Sequence, residues 1–412
     1  MKKAQSTGFG LAVALLGCVG TAGVMAQEPN PYYIGASQAF TRETNVFRVP
    51  EGQPESKDTY STTSLLAGVN QPFGRQRFFA DAAVRHNRYR NNDQLDHTGY
   101  GVDVNLDWET IESLSGRFGY TAKQNLARYG ADLGPAITAK NLERSQEFVA
   151  RGQYGGASVL ALEASYVNRR LDYSAPEFAF QELRQDAVRA GLLYRPGASL
   201  TLGVGVRRTD GEYPFAVQPV PGTFQSDDFK RNDVDLTAAW VPTGQSTLRA
   251  RLSYTKEEHE LVTSRDISSS TGAISWDYKP TAKLAFTTEL IRDTGAETAF
   301  ASSSPTGTAG VGNNSSLSNT FFLRGLYEVT AKIQFEASGR YVERDLVNTQ
   351  GGGLPPTGSD RRTEYRLGLT WTPTRSLLFG CSVGQDRRRT NSALSYPYSA
   401  DIASCLGQFK LQ

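Results

Sequence analysis

Long stretches of this chain alternate strictly between apolar and polar side chains. From Leu200 to Arg207, Leu200, Leu202, Val204 and Val206 fall on one face and Thr201, Gly203, Gly205 and Arg207 on the other. The same period of two separates Val102, Val104, Leu106 and Trp108 from Gly101, Asp103, Asn105 and Asp107. It also separates Tyr365, Leu367, Leu369 and Trp371 from Arg366, Gly368 and Thr370. A β-strand turns successive side chains to opposite faces, so each run predicts a strand with one apolar and one wet side.

The runs are joined in a regular way. An aromatic residue precedes a short turn at Trp108, Tyr154, Tyr194, Trp240, Tyr278, Tyr327 and Trp371, and a similar turn lies at Gln71-Pro72-Phe73-Gly74. Between these turns lie longer polar segments, among them Gly211 to Asp227, Ala299 to Asn319 and Val347 to Asp360. Short turns alternating with long loops are the pattern of a transmembrane antiparallel β-barrel, and the seven aromatics are placed to form its interfacial girdle, with a ring in the apolar layer and a polar atom near the headgroups. Two strands precede Pro72, two lie in each of seven repeats from Arg77 to Pro373, and two follow Ser376. The expected fold is therefore all-β, a barrel of about 18 strands (16–18) with both termini periplasmic. A β-propeller also repeats at roughly 40–45 residues, but it needs four short strands per period where two long ones are found here.

Composition agrees with this reading. The 412 residues include 40 Gly, 19 Tyr and 20 Phe but only 2 Met, which suits tight turns and an aromatic pleated sheet. Mean hydropathy is −0.43, and beyond the N-terminal leader no apolar stretch approaches the roughly 20 residues of a membrane helix. That excludes helical spans only, since barrel strands alternate. Lys2 and Lys3 precede an apolar run from Phe9 to Val24, and Val24-Met25-Ala26 fits a signal-peptidase site before Gln27. The expected organisation is a signal peptide over 1–26 and one barrel domain over 27–412, addressed to the outer membrane of a Gram-negative bacterium. An alternative leader reading takes Leu15-Leu16-Gly17-Cys18 as a lipobox.

The 44 Lys and Arg against 42 Asp and Glu give a net charge of +2, too little for a nucleic-acid surface. The three histidines, His86, His97 and His259, show neither metal-ligand spacing nor a neighbouring nucleophile motif, and no phosphate loop or dinucleotide fingerprint is present. The expectation is a protein with no cofactor, no metal site and no catalytic site. Outer-membrane lipases and proteases are the competing enzyme class, and they need a positioned His beside a nucleophile.

The polar faces point to the interior instead. Asp81, Arg85, Asp103, Lys123, Arg151, Arg189, Arg207, Arg249, Arg251, Arg340, Arg366 and Arg388 are the candidate lumen-lining residues, with Glu163, Asp235 and Glu289 on the same faces. Side chains do not fill an 18-strand barrel, so a hydrated pore is expected, with at least half of these charges pairing across strands to stabilise the wall. Such a lumen suits polar cargo held weakly enough to leave. Once the leader is removed, Cys381 and Cys405 remain, on one lipid-side face with Phe379, Val383, Phe409 and Leu411. They are either a cross-strand disulfide or two small apolar side chains.

The strand Tyr32-Tyr33-Ile34-Gly35-Ala36 begins the mature chain. It, the turn Gln71 to Arg75 followed by Phe78-Phe79-Ala80-Asp81, and the strand Tyr100 to Leu106 together resemble the EpsL-type outer-membrane β-barrels of exopolysaccharide biosynthesis operons. The resemblance implies an exit channel for a secreted polysaccharide, partnered by a periplasmic export protein and an inner-membrane co-polymerase, and it assigns no site residues. The alternative is a general or solute-specific porin. A surface-adhesion or structural barrel is a third class.

Overall fold

The computed structural model describes residues 31–111, 113–130, 138–156, 158–220, 222–296, 315–347 and 357–411. The expected signal peptide lies outside them. The described chain forms strands β1 (Tyr32–Glu43), β2 (Asp58–Phe73), β3 (Gln76–Tyr89), β4 (His97–Glu109), β5 (Leu114–Leu126), β6 (Leu142–Tyr154), β7 (Leu160–Tyr173), β8 (Leu183–Gly197) and β9 (Leu200–Val220). These continue with β10 (Thr223–Thr243), β11 (Ser246–His259), β12 (Ile267–Tyr278), β13 (Leu284–Thr294), β14 (Ser315–Thr330), β15 (Ile333–Val347), β16 (Thr357–Trp371), β17 (Leu377–Thr390) and β18 (Tyr398–Leu411). Each strand pairs antiparallel with its sequence neighbours, and β1 pairs with β18 from Ile34↔Leu411 to Glu43↔Ile402. The 18-stranded sheet is thus closed, which removes the unpaired edges that make open sheets stick to other chains.

Eight short connections, made by the seven aromatic turns and the Gln71–Gly74 turn, lie at one end together with the start of β1 and the end of β18, whereas the short β9–β10 link lies at the other. On the exterior just inside these turns sit Tyr154 (60% exposed), Tyr194, Trp240, Tyr327 and Trp371, and Trp276 stacks on Tyr278. Trp108 stacks on the exposed Phe118, and Gly116 leaves the room its indole occupies, since a Cβ there would meet the ring at 2.5 Å. Beyond the aromatics the outward positions are aliphatic: Val204 and Val206 on β9, Val234 and Leu236 on β10, Leu367 and Leu369 on β16 are all about half exposed. Toward the long-loop end they give way to charge, as at Arg208, Lys230 and Arg361. An apolar band flanked by aromatics around a closed barrel is the β solution to crossing hydrocarbon, because every backbone group is paired within the sheet.

Two expectations about the long-loop end need correcting. Gly211 to Asp227 is not an open loop: β9 and β10 continue as a hairpin through Tyr213↔Asp227 and Val217↔Gln225, with register shifts near the tip. Pro214, Pro219 and Gly211 suggested a loop, yet the irregular ladder absorbs them. The lumen is also not uniformly wide and wet. A 3-10 turn at Pro176–Gln181 folds inward, and Leu171, Leu183, Tyr213, Phe229 and Val262 pack into an apolar cluster inside the β7–β11 wall. The segment after β1 does the same opposite β3 and β4, where Val46, Phe47, Val49, Tyr89, Leu95 and Tyr129 form a second cluster.

Cys381 and Cys405 are direct register partners on β17 and β18 and are joined by a disulfide on the outer face, beside Phe379 and Phe409.

Candidate functional site: the lumen

Strand parity turns all twelve lumen candidates inward, but their surroundings differ. On the β7–β13 wall they are tied into an ion-pair lattice. Arg189 pairs with Glu163 and, at 3.1 Å, with Asp235, and Arg207 lies 3.1 Å from Asp233. Arg249 meets Asp277 at 2.9 Å and Arg251 meets Asp293 at 2.7 Å. At the centre sits Arg231, a residue the sequence reading did not single out. Its guanidinium is fully buried, forks onto Asp233 at 2.9 Å, reaches Asp293 at 2.9 Å and donates to Thr294 Oγ1. These charges pair across strands, as was expected of at least half of the lumen candidates. Around Arg231, Asp233 and Asp235 the charges are buried, where a charge without a partner is costly, while Arg249 and Asp277 pair in a more open position.

The β14–β18 and β1–β6 walls enclose a cavity of about 760 Å³ instead. Asp81, Arg85, Asp103, Lys123, Arg340 and Arg366 line it. Its carboxylates are engaged: Asp81 accepts from Tyr33 Oη at 2.5 Å, Asp103 from Thr121 Oγ1 at 2.7 Å, and Glu143 from Tyr173 Oη. Glu336 pairs with Arg324 at 2.7 Å. Three cations are not engaged in this way. Among the described residues no carboxylate comes within ion-pair distance of Arg85, Arg340 or Arg366. Arg85 lies over Gly101, Arg340 over the ring of Phe322 at 5.2 Å, and Arg366 is open to the lumen. The lining carries seven cationic and seven acidic side chains, and Arg85, Arg340 and Arg366 are its guanidiniums without an ion-pair partner among the described residues.

Its long-loop mouth is barred. Arg128, just past β5, reaches the opposite wall and pairs with Glu364 on β16 at 2.8 Å and Asp386 on β17 at 2.6 Å. Arg48, in the segment after β1, pairs with Glu43 at 2.5 Å and Asp386 at 2.8 Å. Burial alone would lower the pKa of the Arg48 guanidinium, but Glu43 and Asp386 more than offset it and hold the charge above its ordinary range. Arg388, the twelfth candidate, donates to the Gly130 carbonyl and lies between the rings of Tyr396 and Tyr398. Gly130 has φ +103°, open to glycine, and the Tyr398 ring packs 3.3 Å from where a Cβ would be. Phe47 and Tyr129 meet edge to face at 5.1 Å and join the two segments.

Arg48, Arg128, Glu364 and Asp386 were beyond sequence reasoning because their pairing joins segments far apart in the chain across the lumen, and Arg231 because its partners Asp233 and Asp293 are brought to it by the β10–β13 wall. Only the parity of Arg231, Glu364 and Asp386 was readable. The histidines have structural surroundings. His86 faces outward to Thr98 Oγ1, His97 contacts the Leu95 carbonyl, and His259 is held by Asp227 at 2.7 Å. Among the described residues no cluster of His, Cys, Asp and Glu is suited to a metal ion.

An apolar belt outside and a charged, partly open lumen inside define a transmembrane β-barrel of the bacterial outer-membrane class. No family model matches the chain, and no curated protein matches it. Among solved structures it is similar to OccK5 (OpdH) of Pseudomonas aeruginosa, with 12% identity, 92% of this chain and 98% of that chain covered, and a TM-score of 0.46. It is also similar to the outer membrane protein opdK of Pseudomonas aeruginosa, with 15% identity, 92% and 98% covered, and a TM-score of 0.44. A third is Pseudomonas aeruginosa OccK2 (OpdF) in complex with glucuronate, with 13% identity, 92% and 97% covered, and a TM-score of 0.46.

Proposed function

We propose that this barrel is a solute-specific outer-membrane channel, the alternative to polysaccharide export, and that it favours small anions. The observation that carries the reading is the lumen itself. Ion pairs and folded-in segments narrow it, and a cavity of about 760 Å³ within it is the size of a small-molecule site, along which Arg85, Arg340 and Arg366 have no ion-pair partner among the described residues. A polymer conduit calls for a bore that runs clear past Arg128, and Arg128 is tied across the mouth. Unmatched guanidiniums in a narrow, low-dielectric passage raise the local concentration of anions, and solvated single contacts let them leave again. The export partners and the polysaccharide cargo rest only on the sequence resemblance.

Reconstitution into a planar bilayer under a KCl gradient tests this. The expected result is discrete channels whose reversal potential lies toward chloride, with the preference weakened in Arg85→Gln and Arg366→Gln. A barrel that passes no ion or small solute, and whose deletion abolishes surface polysaccharide, overturns the reading in favour of export.

A further inference from the structure

The exterior just beyond the apolar belt is not uniform around the barrel. On the β7–β11 side each boundary cation has an acid beside it. Arg208 is held by Asp210 at 2.9 Å, Lys256 by Glu258 at 2.7 Å, Arg170 by Asp172 at 2.9 Å, and Lys230 faces Glu260 at 3.6 Å. On the side running from β16 through the β1–β18 closure to β3 the balance changes. Arg42, Arg88 and Arg389 point outward by strand parity, Arg90 follows in the bend just past β3, and all four are exposed with no carboxylate within ion-pair distance among the described residues.

The register draws these cations together. Arg389 is the direct cross-strand partner of Arg361. Like charges directly opposite each other repel, so the pair stands more easily with an anion between its members. Glu343, at 2.9 Å from Arg361, covers one side of it. Arg42 is opposite Thr59 on β2, and Arg88 is opposite Ser61 two positions along the same strand, so hydroxyls and guanidiniums alternate along the rim. The carboxylates on this sector are few and placed to the side: Glu51 lies 3.7 Å from Arg387, and Asp401 accepts from Gln385. Immediately toward the short-turn end come Phe40 on β1, Val84 on β3 and Val383 on β17, all more than half exposed to the hydrocarbon layer.

A row of unmatched guanidiniums and hydroxyls one step outside an apolar belt fits the phosphate groups of a membrane lipid whose acyl chains lie against that belt. We infer that the β16–β3 sector of the long-loop rim binds phosphorylated lipid. This orients the barrel: the long loops emerge on the leaflet rich in lipid phosphate. Arg supplies the forked donors that phosphate oxygens accept, and its position at the depth of the headgroups separates this surface from one suited to soluble anions.

The test uses the full barrel in phosphatidylcholine vesicles with or without bis-phosphorylated lipid A, and counts lipid retained per barrel by native mass spectrometry. Wild type should retain lipid A. Arg42→Gln, Arg88→Gln, Arg90→Gln and Arg389→Gln combined should weaken retention by about six hundredfold, since each cation near a charged lipid surface contributes roughly fivefold. A control variant with the same change of charge at the other end (Lys279→Gln, Lys283→Gln, Lys332→Gln, Arg375→Gln) should retain it as wild type does. Heat-modifiable gel mobility establishes that each variant is folded. Equal retention by wild type and the rim variant overturns the inference, as does equal loss in the control, or equal binding of lipid A stripped of its phosphates.

Discussion

Arg231 offers a quantitative test of how the charged wall is held together. Replacing it with methionine keeps most of its volume but removes the charge that forks onto Asp233 and reaches Asp293, both at 2.9 Å. At an effective dielectric near 20 each such pair carries about 6 kcal/mol of attraction before desolvation is counted. Losing one member of a buried pair leaves its partner uncompensated, which costs about 3–5 kcal/mol. Arg207 stays 3.1 Å from Asp233 and Arg251 stays 2.7 Å from Asp293, so the lower end, about 3 kcal/mol, is expected. Adding Asp233→Asn should restore charge balance and recover part of that loss, so the double variant is more stable than Arg231→Met alone. Chemical denaturation in lipid vesicles, followed by tryptophan fluorescence, measures all four corners of the cycle. A loss below about 1 kcal/mol for Arg231→Met, or two costs that simply add, would refute the argument that this lattice is coupled.

Other outcomes follow from the same geometry. Arg128→Gln cuts the tie to Glu364 and Asp386 and should raise single-channel conductance and its fluctuation; an unchanged trace means that the segment after β5 does not limit the pore. Leu236→Arg places a charge in the lipid belt and should cost about 2–4 kcal/mol in the same denaturation assay, whereas an outward charge added beyond the belt, as in Asn232→Glu opposite Arg208 and Lys256, should cost little. Protein purified without reductant should weigh two hydrogens less than its reduced form, the mark of the Cys381–Cys405 bridge, and two alkylatable thiols would exclude the bridge. Burial raises the pKa of the Glu182 carboxyl in the connection before β8. Because its folded value lies above its unfolded one, its contribution to stability is complete below the unfolded value and is lost as pH rises through the folded one. Glu182→Gln should therefore flatten the pH dependence of melting in that range, and a curve parallel to wild type would count against it.

Much of the wall was legible in the sequence because a strand's faces follow from a period of two. The even spacing of Leu200, Leu202, Val204 and Val206 is enough to say which side meets lipid, and the aromatic before each short turn says where the lipid ends. The interior was less legible. Phe47, Tyr129 and Phe178 carry no periodic signal, since they sit in connections that fold back into the barrel, so the sequence alone predicted a wider and wetter lumen than the one they leave. Arg189 and Arg85 look alike on their strands. One is clamped between Glu163 and Asp235, the other has no acid within ion-pair distance among the described residues, and the difference depends on neighbours contributed by other strands and loops.

The pairing of β1 with β18 also governs how the molecule must come into being. Ile34 meets Leu411 and Phe40 meets Cys405, so the first strand to emerge waits for the last. Until then the growing sheet has two open edges, each offering unpaired N–H and C=O groups to any passing strand. Closure is the contact of greatest sequence separation in the molecule, and contacts of that kind form slowly. Assembly thus depends on a catalyst or a membrane that shelters both edges at once, and a lesion in β1 or β18 should release misassembled chains, whereas a comparable lesion in β9 should only weaken a finished barrel.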